Sequence, residues 1–186
     1  MKRNLALLTL SCLLLSTTPL KAQEETNAAK RSQSVYLEFA GSGCALTVNY
    51  EFRLKKERIS GLGLRIGAGG LAIDLFGTTS VFSVPTELNY IWGEKTRVSG
   101  EIGFSLTYLH IRDETISWFF DEPDCVEKED LLVSYIPLGI RFRPKTNGLL
   151  VRLNAGPVIN YSSPNLWSDH AIDPFLGIAV GYSFMK

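Results

Sequence analysis

Apolar and polar residues alternate with a period of two along most of this chain. From Leu46 to Leu54, the residues Leu46, Val48, Tyr50, Phe52 and Leu54 interleave with Thr47, Asn49, Glu51 and Arg53, the spacing of a strand with two unlike faces. Val35, Leu37 and Phe39 repeat it before that run, and Leu62, Leu64, Ile66 and Ala68 after it. Phe82 to Trp92, Val98 to Tyr108, Ile136 to Phe142, Leu149 to Ala155 and Leu176 to Phe184 carry the same alternation. The pattern predicts eight strands and an all-β chain. Pro85 and Pro137 lie inside two of the runs, where a ladder donor is missing, and predict bulges.

The connections add a topology. Lys55 to Ser60, Gly93 to Arg97 and Arg143 to Gly148 are short and polar, whereas Gly70 to Val81, Leu109 to Leu131 and Val158 to Pro174 are long. Short and long links alternate, as in bacterial outer-membrane barrels with periplasmic turns and longer external loops. Gly41-Ser42-Gly43, the first external link, departs from this by being very short.

Residues 1–22 read as a secretory signal: Lys2 and Arg3, an apolar run from Leu5 to Leu15, and Leu20-Lys21-Ala22 before a polar stretch. The run is too short to span a bilayer as a helix. Residues 23–33 read as a polar leader and residues 34–186 as one barrel domain. After Ala22 the chain holds 16 Lys+Arg against 19 Asp+Glu, a balance that argues against nucleic acid as a partner. Cys12, Cys44 and Cys125 show no zinc spacing, and no metal or cofactor site is predicted.

An alternating eight-stranded pattern also suits a soluble barrel with its apolar side chains turned inward. The charges favour the opposite orientation. The apolar face carries none, while the other face carries Glu38, Glu51, Glu87 and Glu101 with Arg53, Arg65, Arg141 and Arg152, and no Lys. Four charges of each sign suit a closed interior, where buried charge must be paired. Aromatics sort by strand end as well. Phe52, Tyr90, Trp92, Phe142, Tyr182 and Phe184 gather at the periplasmic ends, and Phe39, Phe82, Tyr108 and Phe175 near the external ends, as two membrane-interface girdles would. The expectation is an eight-stranded antiparallel up-and-down transmembrane β-barrel.

The segments Ser34-Val35-Tyr36-Leu37-Glu38, Val84 to Gly93 and the closing Gly181-Tyr182-Ser183-Phe184 resemble the small eight-stranded outer-membrane β-barrels of OmpA, OmpX and OmpW type. The resemblance spans nearly all of the chain after the signal. It implies a place in the outer membrane, with lipid, lipopolysaccharide and the barrel-insertion machinery as partners. The family's members act as structural pegs, adhesins, small-molecule conduits or lipid-modifying enzymes, so the resemblance fixes no activity; the expectation here is a monomer with a plugged polar lumen and a structural or surface-interaction role. A conduit or binder for a small apolar molecule is the alternative, and a lipid-modifying enzyme at the rim a third reading.

Single residues argue against an enzyme. Barrel-type lipid A deacylases pair a His with a Ser two residues on, and here Arg112 follows His110. His170 lies near Ser168 and Asp169 in the last loop, without triad spacing. The stretch 110–130 is acidic around Trp118-Phe119-Phe120 and does not match a calcium-binding loop. Cys44 and Cys125 both fall on the external side, and a disulfide between them and two separate thiols are equally open.

Overall fold

In the computed structural model, residues 30–74, 78–93, 97–115, 125–144, 147–160 and 172–186 are described. The signal and most of the leader therefore lie outside the described residues, as do Trp118, Phe119, Phe120 and His170. The strands are β1 (Ser32–Ala40), β2 (Ala45–Arg53), β3 (Gly61–Asp74), β4 (Thr78–Trp92), β5 (Val98–Thr115), β6 (Cys125–Tyr135), β7 (Leu138–Phe142), β8 (Gly148–Asn160) and β9 (Ile172–Met185). Every pairing between them is antiparallel. β1 bonds to both β2 and β9, and β8 bonds to β9, β6 and β7. Because β6 and β7 run in line as two halves of one arm between β5 and β8, the nine segments make a closed ring of eight.

The start of β1 and the end of β9 share one end of the ring, where Arg31 and Lys186 exchange backbone hydrogen bonds. That end, with the short turns, is the lower end here. The register sets the shape. Following paired residues round the ring from Ser34 through Glu51, Arg65, Glu87, Ser105, Tyr135, Val158 and Asp173 climbs steadily toward the upper end. One circuit displaces the chain by about ten residues, and against eight strand spacings that rise gives a tilt of about 40°.

The alternation maps onto this ring as expected. Val35, Leu37, Val48, Leu64, Ile66, Leu88, Ile102, Phe104, Ile140, Leu153, Ile178 and Val180 all point outward and are exposed. Phe39, Phe82 and Tyr108 flank this apolar band at its upper edge, and Tyr90, Trp92, Phe142 and Tyr182 at its lower edge. An apolar band between aromatic rings suits a hydrocarbon layer. Phe175 corrects one assignment: it faces inward and packs edge-on against Tyr135, ring centroids 6.3 Å apart.

Three further expectations change. Two of the long upper links are largely strand: β3 runs to Asp74 before β4 begins at Thr78, and β5 and β6 stay paired out to Thr115 opposite Cys125. On β5 and β6 the exposed residues there include Arg112, Lys128 and Asp130, so the apolar alternation ends before the strand does. β1 begins at Ser32, two residues inside the predicted leader. Neither proline makes a bulge. Pro85 pairs with Thr107 in unbroken register, and Pro137 interrupts the ladder between β6 and β7 without shifting it. Gly103 N–H donating to the Pro137 carbonyl at 2.9 Å, and Ile136 N–H to that of Pro157 at 3.1 Å, bridge the break.

If the outward band lies in hydrocarbon, Val48→Arg costs about 2–4 kcal/mol of folding free energy. Reversible urea unfolding in phospholipid vesicles measures this; a change within error would count against a lipid-facing Val48.

Candidate functional site

Inward positions of β1 to β5, β7 and β8 carry the eight charged residues singled out from the sequence, and all eight are at most 3% exposed. An eight-stranded ring has an interior just wide enough for side chains to fill, so these groups meet across it. Arg53 pairs with Glu51, which also takes both terminal nitrogens of Arg141 at 2.6 and 2.9 Å. Arg141 reaches on to Glu101 at 2.7 Å, and Glu101 pairs with Arg152. Arg152 then contacts Glu87 at 2.7 Å and Glu38 at 3.3 Å, and both carboxylates close on Arg65, Glu87 at 2.8 Å. Positive and negative groups alternate without a gap from Arg53 at the lower mouth to Arg65.

Neutral groups complete the shell that isolated ions lack when buried. Asn89 accepts from Arg53 at 2.7 Å and donates to Glu87 at 3.1 Å. The Tyr36 hydroxyl donates to Glu51 at 3.0 Å, and its ring lies 5.5 Å from the Arg65 guanidinium. Asn49 accepts from Arg65 at 2.9 Å.

The very short first upper link proves to be part of this site. Gly41–Gly43 forms one turn of 3-10 helix buried inside the barrel. Ser42 is fully buried, donates to Glu87 at 2.8 Å and accepts from Arg65 at 3.0 Å. Thr107 donates to the Ser42 carbonyl at 2.6 Å. Gly41 has φ of +61° and lies against Gly177, whose added Cβ would meet the Gly41 Cα at 2.6 Å. The link is short because it folds inward, and its Gly-Ser-Gly composition was the available sign.

Above the ions the interior becomes apolar. Leu109, Ile111, Leu131, Val133, Tyr135 and Val158 form one buried cluster, with Cys44, Val81 and Phe175 against it. Beside it Cys44, Val158, Asp173, Pro174 and Phe175 line a hollow of about 330 Å³. Sequence reasoning missed this layer, having placed most of these residues in loops. The signal was present: Leu109 and Ile111 continue the inward parity of Ser105 and Thr107.

Cys44 is a free thiol. It packs at the level of Leu109, whereas Cys125 pairs with Thr115, about 20 Å further along the strand. Disulfide geometry needs Cα atoms within about 7 Å, so the structure does not form the Cys44–Cys125 bridge. Burial, helped by Glu38, pushes the Cys44 thiol up to about 12. At the upper rim, outside the barrel, the His110 ring and the Tyr108 hydroxyl both contact Asp130, at 2.7 and 2.6 Å. Among the described residues no group of three or more His, Cys, Asp or Glu is placed to hold a metal ion.

No protein-family model matches the sequence, and no curated protein sequence matches it. Solved structures do match in fold. A major outer membrane protein of Thermus thermophilus is similar at TM-score 0.60 and 10% identity, over 84% of this chain and 99% of that one. The N-terminal β-barrel domain of Pseudomonas aeruginosa OprF gives 0.53 and 11%, over 84% and 98%. Neisserial surface protein A gives 0.51 and 8%, over 83% and 95%. The fold is that of the small eight-stranded outer-membrane β-barrels.

Because each ion is held by others, removing one partner strands the rest. Glu51→Gln is expected to destabilise the barrel by about 3–5 kcal/mol. Glu51→Gln combined with Arg141→Met should cost less than the two single changes summed, as a double-mutant cycle in vesicle unfolding would show. The Cys44 thiol should resist maleimide at about pH 7.5 in the folded barrel and react on unfolding; equal rates in the two states would contradict its placement.

Proposed function

We propose that the chain is an outer-membrane β-barrel protein with a plugged polar lumen, acting in a structural or surface-interaction role. The carrying observation is the unbroken series of ion pairs from Arg53 to Arg65. A pore lined by a ring of one charge can select ions, whereas paired charges that touch across the ring fill the space an ion would use. The outward apolar band and the girdles support lipid as its surroundings, with lipopolysaccharide at the upper end and delivery by the barrel-insertion machinery. The likeness in fold to outer-membrane proteins supports the same location.

A second reading rests on the apolar upper interior. The hollow beside Val158 and Phe175 has the lining and size for a small apolar molecule, and the ionic layer would form its floor. The protein would then bind such a molecule from the upper side rather than pass it through. An enzyme at the rim finds less support, because the hydroxyl of Ser80, two positions along β4 from Phe82 opposite His110, donates to the Arg112 carbonyl at 3.4 Å.

Planar-bilayer recording is expected to show no steady conductance for the folded protein, together with membrane fractionation and heat-modifiable migration on a gel. Steady open channels would overturn the plugged-lumen reading. A folded chain that stays in solution without detergent would overturn the membrane reading.

A further inference from the structure

The lower mouth holds a charge that the ionic network leaves unmatched. Arg143 follows the last residue of β7 and keeps the inward parity of Arg141, with its backbone N–H donating to the Arg97 carbonyl at 2.9 Å. It is 2% exposed, yet two of its guanidinium nitrogens, Nε and Nη2, are buried without a hydrogen-bond partner among the described residues. A buried donor left unpaired is destabilising, and more so when it carries charge.

The groups facing Arg143 explain why nothing inside the barrel satisfies it. Arg141 and Arg53 repel it, and Glu51 and Glu101 attract it. Those two carboxylates are already taken by Arg53, Arg141 and Arg152. Among the described residues the buried interior holds five arginines, Arg53, Arg65, Arg141, Arg143 and Arg152, against the four glutamates. One positive charge is therefore in excess, and it sits at the mouth rather than in the middle. Burial, reinforced by Arg141 and Arg53, lowers Arg143 below the ordinary guanidinium range to about 9. It still carries its proton at neutral pH.

We propose that Arg143, with Arg53 as its cationic neighbour, forms an oxyanion-binding site at the lower mouth that takes a small carboxylate or phosphate. The guanidinium fork matches the paired oxygens of either group, and the unpartnered Nε and Nη2 are the pair of donors such a fork presents. An anion seated there supplies the missing negative charge and both missing acceptors at once.

The test is calorimetric titration of the folded, signal-free protein in uncharged detergent with inorganic phosphate and, separately, acetate, at constant ionic strength set with chloride. Saturable binding of phosphate, acetate or both is expected. Binding of phosphate alone would assign a tetrahedral oxoanion, and of acetate alone a carboxylate. Arg143→Gln should weaken binding at least tenfold and Arg143→Lys less, while Arg31→Gln, on the same rim, should leave it unchanged. No saturable binding by the unmutated protein overturns the site even if the variants fail to fold. Equal binding by Arg143→Gln, or an equal loss from Arg31→Gln, overturns it as well.

Discussion

Ring closure is the constraint on which everything else in this molecule rests. Inside hydrocarbon a backbone N–H or C=O has no water to bond, so a strand can cross only if both of its edges are paired. The β1–β9 ladder, from Ser32 opposite Met185 to Ala40 opposite Gly177, meets that demand by joining the first strand to the last. Once the ring is closed at eight strands, its interior is narrow, and every second residue must fit there. Large charged side chains can do so only by meeting one another, which is why Arg53, Arg65, Arg141 and Arg152 share four carboxylates. The ion network is thus a consequence of closure and strand number as much as of the residues themselves.

The eight network residues were legible in the sequence because strand parity and charge placement are both local. The partners were not, since Arg141 and Glu51 lie 90 residues apart and meet only through the barrel's curvature. Parity also explains the omissions. In the middle of the barrel apolar means outward, but above the aromatic ring of Phe82 and Tyr108 the rule reverses: Leu109 and Ile111 are buried while Arg112 is exposed. A reader following hydrophobicity sees the pattern stop there, although the strand and its pairing continue to Thr115. Arg143 escaped for a similar reason, being grouped with the turn that follows although it keeps the inward phase of β7.

The prolines show how strongly the neighbours hold register. A bulge would change the phase of every residue beyond it, and each proline precedes an inward ion on its own arm that needs that phase: Pro85 before Glu87, and Pro137 before Arg141. The ladder loses a donor at each and keeps its count. At Pro137 the arm divides into two strands, where the Pro137 carbonyl accepts from Gly103 on one side and Ile136 donates to Pro157 on the other.

The inward turn at Gly41–Gly43 makes the molecule lopsided. A barrel of this topology has four hairpins at its upper end, and here one of them is used up as internal packing. What approaches from that side finds little to grip over β1 and β2. The rim therefore stands lowest over β1 and β2 and rises through the other three hairpins, so a partner docking on the upper end would meet β3 to β6, β8 and β9.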